Sequence, residues 1–266
     1  MSTFPWSIRA QGHRRPVKHL IVAIRGVNRA ERGEYSGRYG VVDRPEYWRG
    51  NRIGTRLYRE LSDINNNVDM LVLTASLNQY GEPVISEVVN FITRIPEVMR
   101  FRGPFGEGFP PNWKFHPDCK IIIYGFSAGA YNALCICRSL DNYLYNYGTD
   151  EIEFNRQRIL PTVERPRPMV DLLVTVDAVK NELSDVIAGQ PTWSAELAHC
   201  VRWNLNYFLE NEGAEGHGHR NTPLWDGQVY NVNLHTECSH SDANEHVRER
   251  VVMAVRKVIC DNQCPW

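Results

Sequence analysis

The sequence lacks the features that mark membrane-spanning, secreted and nucleic-acid-binding proteins. It has no run of about eighteen apolar residues, so we expect no membrane-spanning helix. The N-terminal segment carries basic side chains but no apolar stretch before a cleavage site, unlike a signal peptide. Thirty basic residues against thirty-one acidic ones give a net charge of -1, without the basic excess of a nucleic-acid binder. We expect a cytoplasmic protein by default, and export by a route that needs no N-terminal signal stays open.

Cysteine is scarce and scattered along the chain. The seven cysteines do not form the dense framework of a disulfide-stapled domain. Cys135 and Cys137 lie in an apolar segment and are expected to be small core residues. Cys260 and Cys264 are near enough in sequence for a disulfide or half of a zinc site, but no second such pair accompanies them. We therefore expect neither a metal nor a cofactor.

The chain is long enough for one large α/β domain covering residues 1–266, which is 42% hydrophobic and 23% charged. Near-continuous apolar runs, typical of strands buried on both faces, predict strands at 17–24, 69–76, 119–124 and 169–176. A further strand is predicted at 228–234, before the last helix. Apolar residues at helical spacing predict helices at 49–64, 82–100, 128–144 and 242–259. This alternation predicts a doubly wound, mostly parallel sheet with helices on both faces.

Two segments interrupt the alternation of strands and helices. Residues 102–117 are rich in proline, glycine and aromatic side chains, and residues 212–223 are rich in glycine, histidine and asparagine. Both are predicted to be irregular surface loops, and loops of this kind often line a substrate entrance.

The motif Gly125-Phe126-Ser127-Ala128-Gly129 lies between a predicted strand and a predicted helix, as a nucleophile elbow requires. Side chains at positions 125 and 129 would collide with the neighbouring helix and strand, which explains the two glycines. The turn would lift the Oγ of Ser127 clear of the sheet at a helix N-terminus. The alternative is an ordinary glycine-containing turn between a strand and a helix.

A serine nucleophile needs a base, and the base needs an orienting carboxylate. Asp177 ends the strand at 169–176, so its side chain is expected at the edge of the sheet where ligands bind in open α/β proteins. A helix-capping role for Asp177 is the alternative. Asp171, within the strand, and Asp185, beyond it, are weaker candidates.

Histidines after Asp177 compete for the role of base, which should lie between the last strand and the last helix. His240 fits this position best, and His235 is the fallback. His217 and His219 lie in the glycine-rich loop, where they are expected to face solvent or substrate.

Two backbone N–H groups should form the oxyanion hole. One belongs to Ala128, directly after the serine, and the other to the loop after the first strand, where Gly26 allows unusual backbone geometry. Val27 or Asn28 would be the donor there. The alternative is that this loop is simply a turn.

These residues resemble the α/β-hydrolase superfamily over residues 17–259. The resemblance rests on the motif at 125–129, on Asp177 and on the late Ser239-His240-Ser241-Asp242. The segment at 203–208 and the later Asn231-Val232-Asn233-Leu234 look like bacterial lipases and esterases, some of which are secreted effectors used against rival cells. The chain departs from the esterase pattern because Arg25-Gly26 stands where a His-Gly-Gly-Gly motif is usual.

The resemblance implies a serine esterase or lipase that forms an acyl-enzyme on Ser127, with Asp177 and His240 completing a catalytic triad. Its implied partner is an ester or lipid substrate, with transient contact to a lipid surface and with no nucleic acid. Two alternatives stay open: an amidase, peptidase or thioesterase on the same triad, and a non-catalytic binding protein of hydrolase fold. The oligomeric state is not predicted.

Overall fold

The structure is a computed structural model that describes residues 7–9, 17–25, 68–74, 115–145, 170–179, 196–210 and 218–266. Seven strands form one sheet: β1 (Ser7–Arg9), β2 (Val17–Arg25), β3 (Val68–Thr74), β4 (Phe115–Phe126), β5 (Val170–Val176), β6 (Val201–Phe208) and β7 (Val229–Asn233). The described helices are α1 (Ala128–Tyr145), α2 (His240–His246) and α3 (Arg248–Arg256), which continues into a π-helical turn, Lys257–Asp261.

The strands lie in the order β1-β3-β2-β4-β5-β6-β7. Strand β1 runs antiparallel to β3, and all the other neighbours are parallel. The chain therefore adds β3 on one side of β2 and then β4 to β7 on the other side. Because ligands in open α/β sheets bind at the carboxyl ends of strands near such a reversal, the ends of β2 and β4 are where a site is expected.

Helices cover both faces of the sheet in the described part of the chain. Alternate residues of a strand point to opposite faces, and on β2 Leu20 and Val22 join a cluster that includes α1, whereas Ile21 and Ala23 join one that includes α3. These four side chains are fully buried. Burial of a Val, Leu or Ile side chain stabilises a fold by about 1.5–3 kcal/mol, so both helical layers hold the sheet in place.

The prediction of an α/β protein with a mostly parallel sheet is confirmed. Each of the five predicted strands is present, with ends that differ from the prediction by up to four residues. Strand β4 starts at Phe115, so the loop predicted at 102–117 was wrong over its last three residues. The predicted helix at 242–259 begins earlier, at His240, and is divided at Val247.

Strands β1 and β6 were not predicted. In β6, Asn204 and Asn206 interrupt the apolar run, yet both are buried because their amides are hydrogen-bonded inside the protein. The predicted helices at 49–64 and 82–100 and most of the loop at 102–117 lie outside the described residues.

Cys135 and Cys137 are core residues of α1, each 1% exposed, as predicted. Cys260 is exposed and Cys264 is half-buried, and both are free thiols rather than a disulfide.

Candidate active site

Ser127 occupies a tight turn between β4 and α1. Its φ is +57°, a left-handed conformation that non-glycine residues rarely adopt. A Cβ on Gly125 would lie 2.4 Å from the carbonyl oxygen of Gly129 and 2.5 Å from the Cα of Ala130. Only glycine therefore lets the strand pass so close to the first turn of α1. The backbone N–H of Ser127 donates to the Val176 carbonyl at 2.9 Å, which fixes the turn against the end of β5.

Asp177 stands directly after β5, at the same edge of the sheet as Ser127. Its φ is also positive, at +41°, and its side chain is fully buried. The Asp177 N–H donates to the Tyr207 carbonyl at 2.7 Å, and the Val179 N–H donates to the Ser127 carbonyl at 3.2 Å. Backbone hydrogen bonds therefore link the two turns directly. Left-handed residues held in this way are typical of functional sites.

His240 is the first residue of α2 and bridges the serine and the aspartate. Its Nδ1 lies 2.5 Å from Asp177 Oδ2, and its Nε2 lies 3.1 Å from Ser127 Oγ. Residues 127, 177 and 240 are far apart in sequence, so the tertiary structure alone brings them into one hydrogen-bonded chain. This is the geometry in which an imidazole accepts a hydroxyl proton while a carboxylate holds its other nitrogen.

Asp177 is the buried end of this chain of three side chains, and the other two are partly exposed. Asp177 is fully buried, while the His240 side chain is 33% exposed and Ser127 is half-buried. The carboxylate is thus removed from water, and the hydroxyl and imidazole can meet a substrate at the surface.

The second carboxylate oxygen of Asp177 is also held. Its Oδ1 accepts the backbone N–H groups of Leu209 and Gly218, each at 3.1 Å. A Cβ on Gly218 would lie 2.5 Å from that oxygen and 3.1 Å from the Phe208 Cβ. Position 218 therefore requires glycine, because any side chain would displace the carboxylate. Sequence analysis missed both donors; the only sequence signal was the glycine content of the loop at 212–223.

Two aromatic residues of β4 support His240. The Phe126 ring stacks on the imidazole, with centroids 5.2 Å apart and planes inclined by 22°. The Tyr124 hydroxyl donates to the Asn244 side-chain oxygen and so ties α2 to the sheet. Burial raises the pKa of Tyr124 well above its usual value, which keeps this phenol protonated and able to donate.

No family model matches the chain, and no curated protein matches it. Among solved structures, the chain is similar to the NocB thioesterase domain from the nocardicin cluster. The identity is 14%, the alignment covers 95% of this chain and 97% of that one, and the TM-score is 0.31. A covalent complex of that domain with a fluorophosphonate nocardicin G analogue matches at 14% identity over 91% and 98% of the two chains, with a TM-score of 0.27. Both TM-scores are low, so neither similarity bears on the activity.

Of the other candidate histidines, two lie within the described residues, and both are exposed. His235 is exposed, and its backbone N–H donates to Asn233 Oδ1 at 3.0 Å. His219 is exposed, and His217 lies outside the described residues.

Asp171 forms a hydrogen bond between two strands of the sheet and is not part of the candidate site. Its Oδ2 accepts the Ile121 N–H at 2.9 Å within the strands. Asp185 lies outside the described residues.

The predicted oxyanion donors are only partly within the described chain. Ala128 is the first residue of α1, so its N–H belongs to the turn whose N–H groups have no partner inside the helix. Its position next to Ser127 is the one expected of an oxyanion donor. Val27 and Asn28 lie outside the described residues, so their role stays a prediction.

Cys238 lies near Asp177, in the segment before α2. Burial raises its pKa, and the nearby carboxylates of Glu237, Asp242 and Asp177 raise it further. A protonated thiol is a poor nucleophile, so the raised pKa disfavours Cys238 as a nucleophile at neutral pH.

The described ranges contain neither a candidate metal site nor a candidate membrane span. There, no group of three or more His, Cys, Asp or Glu side chains could hold a metal ion. Among the helices that the structure describes, none is long and apolar enough to cross a bilayer.

Proposed function

We propose that the protein is a serine hydrolase of the α/β-hydrolase fold that cleaves carboxylic esters through an acyl-enzyme. The observation that carries this proposal is the hydrogen-bonded chain from Ser127 through His240 to Asp177. The left-handed Ser127 at the end of a central strand supports it further.

The proposed reaction has two acyl-transfer steps. His240 Nε2 takes the proton of Ser127 Oγ as that oxygen adds to the ester carbonyl carbon. The carbon–oxygen bond to the alcohol then breaks, and the proton on Nε2 passes to the departing alkoxide. A water molecule next gives its proton to Nε2 and adds to the acyl carbon, and Ser127 leaves with that proton as the acid is released. Asp177 stabilises the imidazolium in both steps.

The negative oxygen of each tetrahedral intermediate needs hydrogen-bond donors. The Ala128 N–H is the proposed donor in the described part of the chain, and Val27 or Asn28 is the proposed second donor. Removal of one such donor costs about 100- to 1000-fold in kcat in well-studied hydrolases.

Esters are the proposed substrates because alcohols leave more readily than amines. Amides, peptides and thioesters are alternatives on the same triad, and a panel of matched acyl groups on oxygen, nitrogen and sulfur leaving groups separates them. A lipase would prefer long acyl chains, and an esterase would prefer short ones.

The first experiment uses a fluorophosphonate probe and p-nitrophenyl esters of short and long acyl chains. Wild-type protein should be labelled at Ser127 and turn over ester. Ser127→Ala should abolish labelling, and His240→Ala should lower kcat by about 10⁴-fold or more. His235→Ala is the matched control, since His235 is exposed and makes no contact with the triad in the described structure; its activity should equal that of wild type.

Three results would contradict the proposal. They are a folded wild-type protein that neither reacts with the probe nor turns over ester, labelling at a residue other than Ser127, and equal loss of activity in His235→Ala and His240→Ala. The first would favour a non-catalytic binding protein of the same fold.

A role as a secreted lipase effector has its own test. Such an effector should damage membranes when it is directed to the bacterial periplasm and should have no effect in the cytoplasm. Equal tolerance in both compartments would remove this role without affecting the hydrolase proposal.

A further inference from the structure

A cluster of polar side chains lies inside the sheet beside the proposed triad. We call it the asparagine cluster, and its members are Thr175, Asn204, Asn206, Asn221 and Asn231. All except Asn231, which is half-buried, are at most 3% exposed. Burial of so many amides is costly unless each one is hydrogen-bonded, so the arrangement of the cluster is well defined.

The strand register creates the centre of this cluster. Thr175 of β5 is paired with Asn206 of β6, which is paired in turn with Asn231 of β7. Their side chains form a continuous row: Thr175 Oγ1 donates to Asn206 Oδ1 at 2.8 Å, and Asn206 Nδ2 donates to Asn231 Oδ1 at 2.8 Å. This row crosses the sheet two residues before Asp177.

The cluster also fixes the segment 218–222, which has no regular secondary structure apart from an isolated β-bridge at Thr222. Asn206 Nδ2 donates to the His219 carbonyl at 2.8 Å. Asn221 and Asn231 exchange two bonds, from the Asn221 N–H to Asn231 Oδ1 and from Asn231 Nδ2 to the Asn221 carbonyl, each at 3.0 Å. The Asn221 amide also donates to Asn204 Oδ1 at 2.8 Å. Residues 219 and 221 are therefore both tied to the sheet.

The residue before His219 is Gly218, whose N–H donates to Asp177 Oδ1. The side of Asp177 that faces away from His240 is thus held by a backbone group in a segment without regular structure. Asn206 donates to the carbonyl of the next residue, His219, and the Leu209 N–H at the end of β6 donates to the same carboxylate oxygen.

We propose that Asn206 is a positioning residue for the triad. By donating to the His219 carbonyl, Asn206 holds the Gly218 N–H against Asp177. This rests on the proposed function, since it assigns a part in the same site. Asn206 does not touch the substrate or the reacting atoms; it keeps the carboxylate, and through it the imidazole, in the productive orientation.

Asn206→Asp tests the proposal with a change of one atom group. The substitution replaces the side-chain NH₂ group of Asn206, which donates to two oxygens, with an oxygen that cannot donate to them. The His219 carbonyl therefore loses its donor. Gln228→Glu is the matched control. Gln228 is also fully buried, and its Nε2 likewise donates to two oxygens, the carbonyls of Ala198 and Val201. Those carbonyls lie at the amino-terminal end of β6, the opposite edge of the sheet from Ser127.

Two readouts distinguish positioning from general loss of stability. Hydrogen exchange of peptides covering 218–222 should be about tenfold faster in Asn206→Asp than in Gln228→Glu. With p-nitrophenyl esters, kcat of Asn206→Asp should fall about 10- to 100-fold while KM stays within about twofold, as expected for a misplaced catalytic group. Gln228→Glu should retain wild-type kcat in its folded fraction.

Equal kcat in the two folded variants, or unchanged exchange at 218–222, would overturn the positioning role. If Asn206→Asp does not fold, Thr175→Val removes the hydroxyl that donates to Asn206 Oδ1 and accepts from the Asn221 amide at 3.3 Å, and it should give the same two effects at about three- to tenfold. Absence of both effects in that variant would also overturn the role. Wild-type protein that the fluorophosphonate does not label would instead overturn the proposed function, and the exchange data would still show whether Asn206 holds Gly218.

Discussion

Substitution of Gly125 by alanine tests the geometry of the turn that presents Ser127. The added Cβ would lie 2.4 Å from the Gly129 carbonyl oxygen and 2.5 Å from the Ala130 Cα. Both neighbours are backbone atoms of the first turn of α1, so no flexible side chain can move aside. Relief of the overlap requires β4 and α1 to separate by several tenths of an ångström.

The expected magnitude follows from that overlap. Overpacking of a core costs about 1–3 kcal/mol, and a clash with backbone belongs at the upper end of this range. At about 2–4 °C per kcal/mol for a domain of this size, Gly125→Ala should lower Tm by about 6–12 °C. A misplacement approaching 1 Å costs a reaction about 100-fold, so labelling of Ser127 by a fluorophosphonate should slow by about that factor.

Gly227→Ala is the matched control because its cost has a different origin. Gly227 has a φ of +79°, and a Cβ there would meet nothing within 4 Å. Alanine in a left-handed conformation costs about 1–2 kcal/mol, so Tm should fall moderately while the labelling rate stays at the wild-type value. Differential scanning fluorimetry and timed probe labelling measure both quantities. A Gly125→Ala protein that melts within about 2 °C of wild type and labels at the wild-type rate would refute the reasoning.

Three further predictions concern ionisable groups. Asp177→Asn should lower kcat by about 10⁴-fold without unfolding the protein. The amide oxygen of the asparagine still accepts the two backbone N–H groups, whereas its NH₂ group imposes the wrong tautomer on His240. Ester kinetics measure the loss of kcat, and circular dichroism shows whether the fold is kept. Burial raises the pKa of Tyr207 to about 12, so its contribution to stability is fully present below about pH 10 and is lost as the pH rises through 12. Between pH 8 and 11, urea unfolding should show that wild type loses about 1 kcal/mol more than Tyr207→Phe. Iodoacetamide should modify exposed Cys260 before Cys238, whose pKa is raised by burial and nearby carboxylates, as peptide mass spectrometry can show.

Each of these predictions has an outcome that would contradict it. Retention of more than about a tenth of wild-type kcat in Asp177→Asn would remove the carboxylate from the mechanism. Parallel alkaline stability curves for wild type and Tyr207→Phe would show that this phenol ionises as readily in the folded protein as in the unfolded chain. Equal alkylation rates at the two cysteines would show that Cys238 is neither shielded nor electrostatically disfavoured as a thiolate.

The sequence alone determined the class of fold and the place of the proposed nucleophile. Near-continuous apolar runs are a local signal, because a parallel strand is buried on both faces, and they located four of the seven described strands. The elbow is local as well, since a serine in a left-handed turn needs a small residue two positions before it. Asp177 and His240 could be ranked from chain order and strand ends, and their catalytic roles stay predictions until activity is measured.

Tertiary structure alone decided what surrounds these three residues. A hydrogen bond between groups more than 100 residues apart, such as Ser127 and His240, leaves no periodic trace in the sequence. The same is true of the N–H of Gly218 on Asp177, and of Asn206, which looks like a strand-breaking polar residue until its partners on the neighbouring strands are known. Apolar burial is encoded by pattern, whereas buried polar contacts depend on pairwise geometry that exists only when distant strands meet.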